Sequence, residues 1–226
     1  MDVESWKTAA AVEAAKLVKD GMVVGLGSGS TVTKIIMAIS EREPRATYVA
    51  SSSISQKLGD KYGLNMSTLE VHPKLDITID GADEVDPNFD MIKGQGGAHT
   101  REKIMAGAAK KLAIVIDKTK LVRRLGQKFP VPVEVLPFAP KYTMGKLAEF
   151  GKPTLRTLTG GIPLITDNGN YLVDLKMSSI KDAALLEQQI NALPGVVDNG
   201  LFAGMADLVI VGYDGGCKTL QDKQDF

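Results

Sequence analysis

The chain has 226 residues, of which 44% are hydrophobic and 24% are charged, a composition typical of a globular protein with a buried core. Lysine plus arginine and aspartate plus glutamate each number 27, so the net charge is zero, which argues against the broad basic surface of a nucleic-acid-binding protein. One cysteine and two histidines are too few for an intrachain disulfide or a usual zinc site, which leaves only a carboxylate-bound Mg²⁺ formally open. The sequence shows neither a signal peptide nor an apolar run of membrane-spanning length, so we expect a cytoplasmic protein that does not bind membranes.

The first two-thirds of the chain alternates between segments of helical spacing and short apolar runs. Apolar residues from Trp6 to Val18 loosely follow a helical period, and Gly21 is a helix stop. We predict strands at 22–26, 47–50, 75–80 and 112–116, with helices over 32–39, 54–62 and 98–110. Strands that alternate with helices imply crossover connections, and therefore a mainly parallel sheet.

The composition changes near Phe129, where Pro130 and Pro132 suit a domain boundary or an edge strand. The segments that follow are predicted as a strand (131–136), a helix (142–150), two strands (154–158 and 171–175), a helix (182–192) and a strand (196–198). This β-α-β-β-α-β order is the ferredoxin-like pattern. A last apolar strand at 208–212 is expected to return to the main sheet.

The first candidate site is the run from Gly27 to Thr31, between a predicted strand and a predicted helix. Its glycines allow a close approach of the main chain to an anion, and the amides at a helix N-terminus favour negative charge. A dinucleotide motif and a Walker lysine are both missing, so the run favours a phosphate monoester. The structural alternative is a tight turn with a serine or threonine cap.

The second candidate site is an acidic cluster at the end of a predicted strand, formed by Asp80, Asp83, Glu84 and Asp86. Carboxylates at strand ends act as general acids, general bases or hydroxyl acceptors. The spacing does not fit an EF-hand calcium loop. The alternative interpretation is a solvated acidic turn.

The third candidate site runs from Lys93 through a glycine-rich turn into a helix that carries Glu102. Exposed backbone amides and a nearby lysine suit an oxyanion. His99 is a rival base or, equally, a surface residue of the helix, whereas His72 is expected to be structural and Cys217 inert. The alternative for the segment as a whole is a flexible loop.

Each of the three segments follows a predicted strand at its carboxyl end, so we expect them to converge on one crevice. An aldose–ketose phosphate isomerase needs these groups. A carboxylate must move a proton between neighbouring carbons, and a cation with amides must hold the negative charge that develops on oxygen.

These motifs resemble ribose-5-phosphate isomerase type A. The matching stretches span nearly the whole chain in consistent order: Gly25–Thr31, Thr78–Asp86, Ile92–Gly94, Thr100–Ile104, Pro132–Val135, Thr166–Asn170, and Pro194–Val197 followed by Gly200–Phe202. The set is highly specific, although its first motif alone is weak.

The resemblance implies roles for individual residues. Glu102 is the expected proton-transferring base, Asp80 assists opening of the furanose ring, and Asp83 binds sugar hydroxyls or places the reacting oxygens. Lys93 is expected to stabilise the enediolate together with the backbone amides. The further expected substrate-binding residues are Lys7, Ser28, Gly29, Ser30, Thr31, Gly81, Ala82, Gly94, Gln95, Gly96 and Lys120.

The resemblance also implies an α/β fold, with a Rossmann-like, mainly parallel sheet that has helices on both faces and a smaller ferredoxin-like α+β domain. We predict the first domain at residues 1–128 and 205–226 and the second at 129–204. Family members are usually homodimers or homotetramers, bind a sugar phosphate and need no cofactor or metal.

Two positions depart from the family pattern. Gln95 interrupts a run that usually consists of glycines, and His99 stands where a hydrophobic residue is usual. If Gly94 or Gly96 carries the positive φ angle of the turn, Gln95 costs little. The functions left open are an isomerase for another pentose or hexose phosphate, a sugar-phosphate sensor that only binds, and a CoA transferase.

Overall fold

The computed structural model describes residues 2–226, apart from the side chain of Lys223. Over this range, no helix is long and apolar enough to cross a membrane. The chain divides into two compact units. The first, here called the parallel-sheet unit, contains the chain up to Ala82, Arg101–Leu121 and Met205–Phe226, and the second, the antiparallel unit, contains Asp83–Thr100 and Val122–Gly204.

Strands and helices follow one another along the chain in the predicted alternation. The helices are α1 (Val3–Ala15), α2 (Ser30–Arg42), α3 (Ser53–Lys61), α4 (His99–Ala108), α5 (Pro140–Leu147) and α6 (Ala183–Asn191). The strands are β1 (Val23–Leu26), β2 (Thr47–Ala50), β3 (Met66–Ser67), β4 (Ile77–Asp80), β5 (Glu84–Val85), β6 (Met91–Ile92), β7 (Leu112–Asp117), β8 (Val131–Val135), β9 (Lys152–Leu155), β10 (Tyr171–Lys176), β11 (Val196–Asn199), β12 (Leu201–Phe202), β13 (Leu208–Tyr213) and β14 (Gly216–Leu220).

The parallel-sheet unit is built on a seven-stranded sheet with the order β14-β13-β7-β4-β1-β2-β3. The pairs are parallel except for the hairpin of β13 and β14. The predicted last strand does return to this sheet, beside β7. Both β4 and β7 are fully buried, and β7 is accordingly an apolar run up to its last residue, Asp117. In β4, by contrast, apolar residues alternate with the buried Thr78 and Asp80.

Helices cover both faces of this sheet. On one face, Val24 and Leu26 pack in a core with α1 and α2. On the other face, Val23 packs near Leu75 and Met105, and Met105 belongs to α4. The predicted mainly parallel sheet with helices on both faces is therefore confirmed.

The antiparallel unit contains a four-stranded sheet with the order β11-β8-β10-β9. With α5 and α6 it gives the succession β-α-β-β-α-β, and the antiparallel pairing confirms the ferredoxin-like pattern. The core of this unit includes Val131, Val133 and Val135 of β8, all fully buried.

The boundaries of the two units differ from the predicted domain ranges. A three-stranded sheet joins β5 and β6 to β12, so residues 83–100 group with the antiparallel unit. The backbone amide of Val122 donates to Val85 at 3.0 Å, and the buried carboxylate of Glu84 accepts from the amide of Gly126 at 2.7 Å. These long-range bonds place residues 122–128 in the antiparallel unit. The predicted domain ranges, 1–128 with 205–226 and 129–204, remain a prediction.

Candidate active site

The loop after β1 brings a lysine to the start of α2. Gly29 is the N-cap residue of α2 and has a φ angle of +95°, a conformation that glycine adopts without strain. The Nζ atom of Lys7, on α1, donates to Ser30 Oγ at 3.2 Å. The first amides of a helix have no partner within the helix, so an ammonium group, a hydroxyl and main-chain N–H groups meet at this terminus. This combination suits an anion.

Asp80 lies directly beside that loop. Its carboxylate is 1% exposed, and Oδ1 accepts from the amides of Ser28 at 3.2 Å and Gly81 at 2.7 Å. A Cβ atom at Gly27 would lie 1.8 Å from the Asp80 carboxylate. Glycine at position 27 is therefore required for this approach. Gly27 belongs to the first candidate run of the sequence, but no contact between it and Asp80 was predicted.

Glu102 joins the same group of side chains. It is 4% exposed, lies in the first turn of α4, and its Oε1 accepts a hydrogen bond from Ser28 Oγ. Further along α4, the carbonyl of Met105 accepts from Thr78 Oγ1 of β4 at 3.2 Å, which ties the helix to the sheet. The structure thus brings Ser28, Asp80 and Glu102 together, as the sequence predicted.

The remaining predicted residues of the parallel-sheet unit also lie beyond the carboxyl ends of its central strands. A Cβ built at Gly81 lies 3.9 Å from Thr31 Cβ, so these two positions are neighbours, and Ala82 follows directly. Lys120 lies in a 3-10 turn, Lys118–Lys120, immediately after β7, which pairs with β4.

In the antiparallel unit, the backbone of Lys93 is fixed at both ends. Its amide donates to Gly200 O at 2.8 Å, and a Cβ at Gly200 would lie 2.2 Å from Lys93 O. The Lys93 side chain is 2% exposed, with Nζ 5.3 Å from the centre of the Phe202 ring. Lysine is rarely this buried, so the burial marks Lys93 as a candidate functional residue.

The glycine-rich turn after Lys93 tolerates its glutamine. Gly94 has a φ angle of +101° and Gly97 of +80°, and Gly97 N donates to Gly94 O at 3.0 Å. Among residues 2–226, the non-glycine residues with positive φ are Glu43 and Phe89, so Gln95 is in an ordinary conformation. Gly96 is exposed, and Gln95 Nε2 reaches Pro130 O at 3.3 Å. The left-handed position therefore falls on Gly94, and Gln95 fits without distorting the turn.

Asp83 is held by the same turn. Its amide donates to Ile92 O at 2.9 Å, and its Oδ2 accepts from the amide of Gln95 at 3.0 Å. The other two acids of the sequence cluster serve the fold. Glu84 is fully buried against loop amides, including that of Phe129 at 2.8 Å, and Asp86 Oδ1 accepts from the amide of Asn88 at 2.8 Å.

His99 lies in the interior of the antiparallel unit. It is 0% exposed, its Nε2 lies 3.3 Å from Asp198 O, and a Cβ at Gly94 would lie 2.7 Å from its Nδ1. The expectation of a surface position is wrong, because the ring packs against the glycine turn. This contact leaves no room for a side chain at position 94 and so explains the glycine there.

The sequence reasoning missed a buried carboxylate that fixes the start of α4. Glu134 of β8 is 0% exposed and accepts from Thr100 Oγ1, from Thr166 Oγ1 at 2.8 Å and from Asn170 Nδ2 at 2.9 Å. Burial alone raises the pKa of Glu134, but these hydroxyl and amide donors hold it below the ordinary value. Glu134 and these three donor residues all lie in motifs quoted for the resemblance, but no role was predicted for them.

Within residues 2–226, no three His, Cys, Asp or Glu side chains are grouped so that they could hold a metal ion.

A family model described as ribose 5-phosphate isomerase A (phosphoriboisomerase A) matches residues 47–216. The chain belongs to this family. It is 46% identical to ribose-5-phosphate isomerase A of Thermosynechococcus vestitus over 217 residues, and this alignment covers 93% of this chain and 92% of the relative. It is 41% identical over 230 residues to the Pyrococcus abyssi protein of the same name, with 98% and 100% covered.

Solved structures of ribose-5-phosphate isomerases share the fold over almost the full length. The Methanocaldococcus jannaschii isomerase A superimposes with a TM-score of 0.93 at 42% identity, covering 98% of this chain and 100% of that one. A D-ribose-5-phosphate isomerase in complex with phospho-erythronic acid gives a TM-score of 0.95 at 41% identity, with the same coverage.

Proposed function

We propose that the chain interconverts D-ribose 5-phosphate and D-ribulose 5-phosphate through an enediolate, with Glu102 as the proton-transferring base. The observation that carries the proposal is the buried Glu102 carboxylate, bonded to Ser28 of the loop that leads into the α2 N-terminus. The match to the isomerase A family supports the reaction class. A similar isomerase was solved with phospho-erythronic acid, whose carboxylate and phosphate resemble the two ends of an open-chain sugar phosphate.

In the proposed reaction, Asp80 assists opening of the furanose ring to the free aldehyde. Glu102 then takes the proton from C2, and the electron pair of that bond forms the C1–C2 double bond while negative charge develops on O1. Glu102 returns its proton to C1, and the proton of the O2 hydroxyl passes to O1, which leaves the carbonyl at C2. No atom is gained or lost.

Two sets of groups support that transfer in the proposal. Lys93 and the amides of Gly94 and Gly96 stabilise the enediolate charge, while Asp83, which accepts from the Gln95 amide, binds sugar hydroxyls. Lys7, Ser30, Thr31 and the amide of Gly29 bind the phosphate, Ser28 belongs to the same substrate-binding loop, and Lys120 is a further substrate-binding cation. The Lys7–Ser30 contact of 3.2 Å supports the phosphate assignment.

We further propose that the protein is cytoplasmic and forms a homodimer or homotetramer. Light scattering of the purified chain tests the second point, and a monomer at micromolar concentration would contradict it.

The experiment that tests the reaction is the direct conversion of sugar phosphates by the purified chain. We expect ribose 5-phosphate to give ribulose 5-phosphate with a higher kcat/KM than arabinose 5-phosphate or glucose 6-phosphate. Preference for another sugar phosphate would make the chain a related isomerase. Binding of ribose 5-phosphate without any turnover would instead indicate a sugar-phosphate sensor.

A further inference from the structure

Arg156 is an anchored arginine of the antiparallel unit that has no role in the proposed reaction so far. It directly follows β9, and its side chain is 13% exposed. The guanidinium binds Asp174 of β10 with two bonds, Nε to Oδ2 at 2.9 Å and Nη2 to Oδ1. This fork-to-carboxylate geometry fixes the plane of the guanidinium on the sheet.

The third nitrogen of the same guanidinium binds the glycine-rich turn. Nη1 donates to Gly94 O at 3.1 Å and to Gln95 O at 2.9 Å. A lysine ammonium at the end of a flexible stem has three donors and no fixed plane, so it does not reproduce four bonds to one carboxylate and two carbonyl groups. The geometry therefore specifically requires arginine.

The peptide unit between Gly94 and Gln95 connects Arg156 with Asp83. In a trans peptide, the carbonyl oxygen and the amide hydrogen point in opposite directions. Arg156 binds the carbonyl side of this unit, while the amide of Gln95, on the opposite side, donates to Asp83 Oδ2 at 3.0 Å. The guanidinium, together with the Gly97 amide that also donates to Gly94 O at 3.0 Å, thus orients this peptide plane on its carbonyl side, and the opposite side of the plane contributes a hydrogen bond that helps hold the Asp83 carboxylate.

We propose that Arg156 is a positioning residue for the isomerisation. It fixes the peptide plane of Gly94–Gln95, and thereby the Asp83 carboxylate and the turn that directly follows Lys93. Arg156 acts through these groups and not on the substrate itself. This inference rests on the proposed function, because it assumes the roles given there to Asp83 and Lys93.

The test compares Arg156→Lys with the wild type by kinetics and phosphate binding. We expect kcat to fall about tenfold or more, since small displacements of positioned groups are costly in rate. The inhibition constant of inorganic phosphate is expected to stay within about twofold, because the proposed phosphate groups lie in the parallel-sheet unit. Arg45→Lys is the matched control, since Arg45 is 92% exposed and paired only loosely with Asp20 at 3.4 Å. It should leave kcat unchanged.

Asp174→Asn keeps the arginine and weakens only its anchor, so we expect a smaller loss of kcat. If Arg156→Lys does not fold, this variant decides the question. The inference is overturned if Arg156→Lys folds and keeps the wild-type kcat. If that variant does not fold, a folded Asp174→Asn with wild-type kcat overturns it, and either result leaves the proposed function intact. A loss of phosphate binding equal to the loss of kcat would also overturn it, because it indicates general disruption. An inactive wild type would instead overturn the proposed function and, with it, this inference.

Discussion

Ser28 connects the two carboxylates to which the proposed mechanism gives proton-transfer roles. Its hydroxyl donates to Glu102, and its amide donates to Asp80 at 3.2 Å. A single residue after β1 therefore fixes a base on α4 and an acid at the end of β4. The approach depends on Gly27, where any side chain would overlap the Asp80 carboxylate.

Replacing both hydroxyls at the start of α2, with Ser30→Ala and Thr31→Ala together, tests the phosphate assignment. We expect KM for ribose 5-phosphate to rise about tenfold and kcat to change little, since phosphate contacts are made equally in the ground and transition states. Steady-state kinetics measures both constants. Ser40→Ala is the matched control, because it removes a hydroxyl near the opposite end of the same helix. An unchanged KM in the double variant would move the phosphate site elsewhere.

At the scale of single residues, the sequence predicted which side chains carry out the chemistry better than it predicted their burial and contacts. The types and order of Ser28, Asp80 and Glu102 were enough to predict that they lie together. Whether His99 is exposed was not predictable, because its burial depends on a neighbour that is close only in the fold, the turn at Gly94. Arg156 was missed for the same reason, since its partners Gly94 and Asp174 are distant in sequence.

At the scale of secondary structure, the start of α4 depends on the buried Glu134. Four side chains donate to its carboxylate, and one of them, Thr100, lies two residues before Glu102 on the same helix. Through the hydrogen bond from Thr100, the Glu134 carboxylate therefore anchors the first turn of α4.

Glu134→Gln is expected to reduce the free energy of unfolding by about 2 to 3 kcal/mol at pH 7, because a hydrogen-bonded buried charge is replaced by an amide that opposes the asparagine donors. The pKa of Glu134 is lowered in the folded protein, so its stabilisation is present above the unfolded value of 4.5 and is lost as the pH falls through the folded value. The difference in the free energy of unfolding between wild type and variant should thus shrink as the pH falls below 4.5. Urea unfolding measures it, with the exposed Glu149→Gln as control, and a difference independent of pH would contradict the account.

Periodicity predicted most of the longer elements, but it missed β14 and the two-residue strands β3, β5, β6 and β12. Such strands are too short to show a pattern and exist only because distant partners pair with them. The predicted helix at 142–150 begins earlier, at Pro140, which occupies the first turn where a missing amide hydrogen costs nothing.

At the scale of the whole molecule, the change from alternating α/β to β-α-β-β-α-β was visible in the sequence, and so was the fold class. The grouping of residues 83–100 with the antiparallel unit was not visible. It arises from pairing between β6 and β12, which are separated by more than a hundred residues. Local patterns carry no information about such pairing.

The account also predicts that catalysis by the whole protein needs no metal ion. Lys93 and backbone amides carry the negative charge of the enediolate in the proposed mechanism, so exhaustive dialysis against EDTA is expected to leave kcat within about twofold. A large loss that added Mg²⁺ restores would show that an ion carries this charge instead.

The most direct test of the central claim is the turnover of Glu102→Gln with ribose 5-phosphate. The amide keeps the shape and a hydrogen-bond acceptor for Ser28 but cannot take up the C2 proton, so we predict a loss of kcat of about 10²- to 10⁴-fold. Inhibition by inorganic phosphate should persist, and the exposed Glu149→Gln should behave as wild type. A Glu102→Gln variant that retains the full kcat would show that another group transfers the proton.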